Sequence, residues 1–405
     1  MIQKKYVINL YIILFLFYVF FNLIFKVQSY AIWGLSFLLI IIELCSKKKI
    51  YITKNDIFFL ILPIIFLLAS FYSPYFGSPL KFSFTFLLMT LILIILSKEC
   101  TNNIDYNFIF YIILLFSGVH VFATIFYQLF PSMWQNILPY FLKGSDLRQN
   151  IITFNYNHIN CGLSPVQSAN AMYITAFITC CFSGALKYGK KYYLLLILGG
   201  IALMLSGKRG ILLAVIFAFI IYYLFFKYKS TGKISYTFIK LIFLIFIVGL
   251  IGYFVAKNFF PDAFRIIARF TNQKDITTGR GEYYKILLNS YLNGNFIFGN
   301  GLFFSRYKLF SVYGEANDAH NIYIQLLVET GIFGLFGFLC IVFNIIKKLI
   351  KEIDYKNIIT MMSFFYTIVF LIYGMSGNDL FDLSILPFWY FLISFLFIRK
   401  DRVNL

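Results

Sequence analysis

The chain has 405 residues, of which 61% are hydrophobic, 21% aromatic and only 13% charged, with a mean hydropathy of +0.82. Soluble domains average about 45–50% apolar and about 25% charged residues, so the composition excludes a soluble globular protein and points to an integral membrane one. The net charge of +19 does not signal a nucleic-acid partner, because the cations sit in short blocks between apolar runs.

Backbone groups in lipid must be satisfied within the segment, and a span needs about 20 apolar residues. Apolar runs near 6–26, 28–45, 56–73, 82–98, 107–130, 166–186, 191–206, 210–226, 236–256, 322–346, 358–376 and 383–399 therefore predict an all-α polytopic protein of about twelve transmembrane helices. No small-residue cleavage signal follows the first run, so it reads as a retained helix and not a signal peptide.

Basic blocks at Lys4-Lys5, Lys47-Lys48-Lys49, Lys187/Lys190/Lys191, Lys227/Lys229/Lys233, Lys347-Lys348/Lys351 and Arg399-Lys400/Arg402 alternate with poorly charged connections. By the positive-inside rule both termini are cytoplasmic. Residues 1–405 then form a single polytopic domain with two external loops. The first, 131–165, carries Trp134, Lys143, Asp146, Arg148 and His158; the second, 257–321, lies between the ninth and tenth helices. Neither an internal repeat nor similar halves are visible.

Cys45, Cys100, Cys161, Cys180, Cys181 and Cys340 lie mostly in or at the ends of apolar runs, without CxxC or His/Cys ligand spacing. Neither a disulfide framework nor a zinc site is indicated. No paired-carboxylate motif stands out either, so the expected chemistry is metal-independent and uses no cofactor.

Two polar features carry chemistry. The first is the outer connection 205–210, which holds Lys208 and Arg209 on the side where cations are unusual, beside Gly207 and Gly210. That placement favours a basic site facing an anionic substrate over a snorkelling anchor. The second is the large loop, with Arg265, Arg269, Arg280, Glu282, Arg306 and Asp318. The four-residue spacing of Arg265 and Arg269 puts both on one face of a short amphipathic helix, suited either to lipid headgroups or to substrate. Arg280 lies between two glycines, which permits a tight turn there.

The loop ends in Ala316-Asn317-Asp318-Ala319-His320-Asn321. Asp318 reads as the helix N-cap, which puts His320 in the first turn of the tenth span. The helix dipole there disfavours imidazolium, leaving a neutral ring able to act as general base. Glu329, roughly two and a half turns deeper by helical rise, is an intramembrane carboxylate and thus a functional candidate that could also only pair with a nearby Arg or the backbone. His120 and His158 read as structural. Gly299, Gly301, Gly331 and Gly334 read as turn and close-packing positions.

Taken in order, Ser206-Gly-Lys-Arg209-Gly210-Ile-Leu-Leu-Ala, Gly279-Arg280-Gly281-Glu-Tyr-Tyr, Phe296-Ile-Phe-Gly299-Asn-Gly301, Ala319-His320-Asn321-Ile-Tyr and Glu329-Thr-Gly331-Ile-Phe-Gly334 resemble the O-antigen ligase/polymerase superfamily. The resemblance covers roughly residues 200–345. It departs in Gly207-Lys208 before Arg209, where a Ser is common, and the half before residue 200 matches only in hydrophobic layout.

The resemblance implies a GT-C-like fold and transfer of an undecaprenyl-pyrophosphate-linked glycan at the outer face of the membrane. It implies a polysaccharide polymerase that joins lipid-linked repeat units into capsule, exopolysaccharide or O-antigen, or alternatively a ligase that moves the glycan to a lipid core or protein. A flippase or transporter for the same lipid-linked glycan is the reading from another class. Such a transporter would show ionisable residues in the middle of several spans and similar halves.

The implied partners are undecaprenyl-pyrophosphate-linked oligosaccharide, membrane lipids, and a chain-length regulator or flippase, with no nucleic acid. On this reading His320 and Arg280 are catalytic, and Arg209, Lys208 and Arg280 hold the donor pyrophosphate. Arg265, Arg269, Asn321 and Glu329 support them, while a part for Arg148 and His158 stays open. Arginine suits the task because its planar fork matches phosphate oxygens and stays protonated.

Overall fold

The structure, a computed structural model, describes residues 2–25, 29–46, 54–75, 77–99, 105–157, 159–231, 279–352 and 357–397. Every regular element among them is a helix: α1 (Ile2–Phe25), α2 (Ser29–Ser46), α3 (Lys54–Phe71), α4 (Gly77–Glu99), α5 (Tyr106–Leu129), α6 (Pro131–Ile137), α7 (Ser145–Asn157), α8 (Gln167–Tyr188), α9 (Lys191–Leu205) and α10 (Arg209–Thr231), then α11 (Arg280–Leu292), α12 (Phe304–Tyr313), α13 (Ile322–Glu352), α14 (Ile358–Tyr373) and α15 (Leu386–Ser394).

The expected spans coincide with apolar helices wherever they are described. Among the described residues, five helices are long and apolar enough to cross a membrane: Tyr6–Phe25, Gly77–Lys98, Tyr106–Leu129, Gln167–Tyr188 and Ile322–Glu352. Six shorter apolar helices account for the other described runs. The run at 236–256 lies outside the described residues, as do 257–278 of the large loop. The expected external loops are largely helical where they are described: α6 and α7 fill much of 131–165, and α11 and α12 fill much of 279–321.

The chain divides into two compact units. Unit 1 is drawn from Met1–Ile113, Thr277–Phe364 and Phe370–Leu405. Lipid tails are as apolar as leucine, so burial from water does not drive association of its spans; packing and interhelical hydrogen bonds do. Phe66, fully buried on α3, meets the rings of Phe82, Phe86 and Phe381 at centroid distances of 5.9, 4.9 and 5.7 Å. Trp389 stacks on Phe370 at 4.1 Å. Ser70 and Ser83 hydroxyls join α3 to α4 at 2.8 Å, and Lys98 pairs with Asp56 at 3.1 Å between the far ends of the same helices.

The long helix α13 is two helices meeting at Gly331, whose backbone (φ 67°, ψ −167°) is open in practice only to glycine. The break exposes backbone groups that must find partners, and the segment 296–301 supplies them. Asn300 N–H and Gly301 N–H donate to the Val328 and Glu329 carbonyls at 2.9 and 3.0 Å, while Ile332 N–H and Phe333 N–H donate to Phe296 and Ile297 at 3.2 and 3.3 Å. The two chains cross so closely that a Cβ on Gly331 would strike the Ile297 carbonyl, and one on Gly299 would lie 2.5 Å from Gly331 N. The other side of the segment is fixed to the end of α3: Leu302 N–H donates to the Ala69 carbonyl at 3.1 Å, and Tyr72 Oη to the Phe298 carbonyl at 2.6 Å. This pinned segment orients α12 and the approach to α13.

Unit 2 is drawn from Leu114–Ile276 and Phe365–Val369. Small residues allow its helices to approach closely; a Cβ on Gly199 of α9 would lie 2.9 Å from Ile178 of α8. The stretch 159–167 is tied down by buried amides. Asn160 Nδ2 donates to the Thr124 carbonyl at 2.8 Å, and Asn150 Nδ2 to the Ser164 carbonyl at 2.7 Å.

Candidate active site

In unit 1, three chain segments converge where α13 begins. Ile322 N–H donates to the Gly374 carbonyl at 2.8 Å. Asn321 Nδ2 donates to the Met375 carbonyl at 3.1 Å, and Arg280 Nη1 to the Ser376 carbonyl at 2.8 Å. Three successive carbonyls after α14 thus anchor Ile322, Asn321 and Arg280. Tyr284, one turn along α11 from Arg280, donates its hydroxyl to the His320 carbonyl at 3.3 Å. Burial raises its phenol pKa, with Arg280 and Asn321 acting in the opposite direction.

The cap of α13 differs from expectation. Asn321, not Asp318, is the N-cap: its Oδ1 accepts from Tyr323 N–H at 3.0 Å and Ile324 N–H at 3.1 Å. Asp318 is drawn away by Arg306, which grips it in a two-pronged pair, Nε to Oδ1 at 2.7 Å and Nη2 to Oδ2 at 2.9 Å. His320 is consequently not in the first helical turn. It precedes the cap with a left-handed backbone, φ 53°, and so a neutral ring no longer follows from a place inside the helix. Phe303 and His320 are the non-glycine residues with positive φ among those described. Such conformations persist where surrounding contacts over-determine them, often at functional sites.

Arg306 is half-buried over the Phe303 ring, 4.4 Å from its centroid. Desolvation acts against its charge, but Asp318, with Glu329 and Asp382, carries its pKa above the usual value. Glu329 is fully buried and serves the backbone: Oε2 accepts from Phe303 N–H at 2.9 Å and Oε1 from Ser305 N–H at 3.3 Å. Gln325 Nε2 bridges Glu329 Oε1 at 3.1 Å and Asp318 Oδ1 at 3.4 Å.

Asp382, in the connection before α15, accepts from Ser384 N–H at 2.8 Å and Ser384 Oγ at 2.6 Å. Burial raises its carboxyl pKa against the effect of these bonds. Asp379 is buried in the same connection.

In unit 2, Lys208 follows the turn after α9 and Arg209 opens α10. Gly207 takes φ 69°, and a Cβ there would lie 3.2 Å from both Gln167 Nε2 and Ile159, which accounts for glycine before Lys208. Gln167 Nε2 donates to the Ser206 carbonyl at 2.8 Å, and Asn160 N–H to that of Leu205 at 3.2 Å. Burial pushes the Cys161 thiol up to about 12, partly countered by the charge of Lys208.

Arg209 and Arg280 share a local setting: each is the first residue of a helix. The macrodipole there opposes a cation and favours an anion, and the first amides have no intrahelical partner. An arginine at this position can help bind an anionic group only by adding its own donors to those amides.

The structure thus brings Arg280, His320, Asn321 and Glu329 into one unit. Lys208 and Arg209 lie in the other unit. Arg265, Arg269 and His158 lie outside the described residues. Arg148 is exposed on α7, and His120 is buried 4.5 Å from the Tyr173 ring. Sequence reasoning passed over Tyr284, Gln325, the 374–376 carbonyls, Asp379 and Asp382. Two carboxylates in a short connection between apolar runs were the available signal for the last pair.

No curated protein matches the chain. Residues 194–339 match a family model, Wzy_C, O-Antigen ligase, a range that includes Lys208, Arg209, Arg280, His320, Asn321 and Glu329. Over this stretch, a little more than a third of the chain, the match supports the O-antigen ligase/polymerase superfamily, and the long apolar helices suit a multi-pass membrane protein.

Proposed function

We propose that the protein is a polysaccharide polymerase. It transfers an undecaprenyl-pyrophosphate-linked glycan onto another lipid-linked repeat unit at the outer face of the cytoplasmic membrane, with both termini in the cytoplasm. The observation that carries the reading is the anchoring of Arg280 and Asn321 on the adjacent carbonyls of Ser376 and Met375. It sets a guanidinium and the residue next to His320, both inside the stretch that matches the family model, against one turn.

The acceptor hydroxyl attacks the donor's anomeric carbon, and the bond from that carbon to the pyrophosphate oxygen breaks. Undecaprenyl pyrophosphate leaves with the electron pair, and His320 takes the hydroxyl proton. Arg280 stabilises the negative charge that grows on the leaving group, the kind of preorganised electrostatic help that dominates such reactions. Arg209 and Lys208 add donors for the pyrophosphate, and Arg265 and Arg269 support them. A chain-length regulator or the flippase that delivers the donor is the expected protein partner.

Glycan gels of a deletion strain test the choice of acceptor. Single-repeat products are expected. Accumulation of free lipid-linked polymer would overturn the polymerase reading in favour of a ligase.

A further inference from the structure

Arg306 and Glu329 belong to a closed circuit of contacts. From the Glu329 carboxylate the circuit runs to Gln325 Nε2 at 3.1 Å, and from there to Asp318 Oδ1 at 3.4 Å. It continues through the paired bonds of 2.7 and 2.9 Å to Arg306. Arg306 lies over Phe303, whose N–H returns to Glu329 at 2.9 Å. Gln325 and Glu329 are fully buried, so the contact between them is shielded from solvent, whereas the Arg306–Asp318 pair is only partly buried.

The circuit holds both strained positions of this region. Phe303 (φ 65°) gives it an N–H, and His320 (φ 53°) follows Asp318 by two residues. Between Asp318 and the capping Asn321 there are only Ala319, fully buried, and His320. With Asp318 fixed at one end, and Asn321 fixed on Met375 at the other, the backbone of His320 has little freedom left. Tyr284 holds its carbonyl as well.

We infer that Arg306 and Asp318 are positioning residues that hold His320 for proton abstraction and do not bind the donor pyrophosphate. The inference rests on the proposed base role of His320. It assigns Arg306, a cation in the polar segment, to a duty different from that of Arg280. Both prongs of the Asp318 pair are needed because the short stretch 318–321 passes any tilt of Asp318 on to the imidazole. A misplacement of about 1 Å can cost about 10²-fold in rate.

The test is a double-mutant cycle on the purified full-length protein in detergent, with a synthetic polyprenyl-pyrophosphate oligosaccharide as donor. The variants are Arg306→Lys, which keeps the charge but loses the fork, and Asp318→Asn, which keeps the shape. Each is made alone and in a His320→Ala background. Alone, each is expected to lower kcat roughly 10- to 100-fold with donor KM within about twofold of wild type. In the His320→Ala background neither should lower the residual kcat further, because the group they position is gone. Equal losses in both backgrounds, a raised donor KM, or unchanged kcat in Asp318→Asn would overturn the inference. His320→Ala alone separates the two claims: full activity there sinks the base role itself, whereas low activity with additive Arg306 and Asp318 effects sinks only the positioning role.

Discussion

The Arg280 guanidinium donates to the Ser376 carbonyl at 2.8 Å, across 96 residues of chain. Arg280 begins a helix, where the dipole opposes its charge, and this bond is one of the contacts that fix its side chain. An arginine held this way presents its remaining donors in a fixed plane. Arg280→Lys should therefore fail nearly as badly as Arg280→Ala, each lowering polymer synthesis roughly 10²–10³-fold. Polymer yield per amount of folded protein measures this. Ordinary polymer from Arg280→Ala at matched protein levels would remove Arg280 from the site.

Gly331 is the joint of the broken helix. An alanine there meets both a backbone conformation reserved for glycine, on the order of 1–3 kcal/mol, and collision with the Ile297 carbonyl. Gly331→Ala should lower the thermal unfolding midpoint in detergent far more than Gly200→Ala, where a Cβ meets nothing within 4 Å. Equal midpoints for the two variants would contradict the pinned crossing of 296–301 and α13.

Glu329 accepts two backbone N–H groups in a fully buried place. Glu329→Ala leaves each without its acceptor, at about 1–3 kcal/mol per donor. Glu329→Gln retains one acceptor oxygen and should fall between wild type and alanine. Unfolding midpoints of the three proteins give the order directly.

Asp382 gives a pH signature. Its folded-state carboxyl pKa is raised, so above the ordinary value near 3.9 the folded protein binds the proton more tightly than the unfolded chain. Stability then falls as pH rises from that value to the raised one, and stays lower above it. Asp382→Asn has no proton to lose, and an amide oxygen can still accept both bonds from Ser384, which fall on one oxygen in the native protein. The midpoint of the variant minus that of wild type should grow from pH 4 towards pH 7. A flat difference would show that Asp382 is not held in a desolvating environment.

The proposed outward placement of the large loop is open to chemical labelling. Glu315 is exposed, and a Glu315→Cys variant should react with an impermeant thiol reagent in intact cells. Reaction only after lysis would reverse the proposed orientation and exclude the site from the outer face.

The helices were legible because lipid leaves the backbone no other choice. The break inside α13 was half legible. Gly331 and Gly299 suggested close packing, but nothing local says that 296–301 would complete the hydrogen bonds of a helix some thirty residues on. The cap of α13 was misread for a related reason. Asp318 and Asn321 are both good capping residues, and only the distant Arg306 decides between them by drawing Asp318 away. The carbonyls of 374–376 carry no sequence signal, since a backbone oxygen is the same at every residue, and Tyr284 stands out only as the end of the Gly279–Tyr284 motif.

The central claim is that His320 takes the acceptor proton while the cations hold the donor. Single-turnover measurement with purified His320→Ala and a defined polyprenyl-pyrophosphate oligosaccharide tests it most directly. A general base contributes typically about 10²–10⁴-fold, so the chemical step should slow by that order while donor affinity stays within about twofold of wild type. An unchanged chemical step, or a variant whose only defect is that donor no longer binds, would contradict the account.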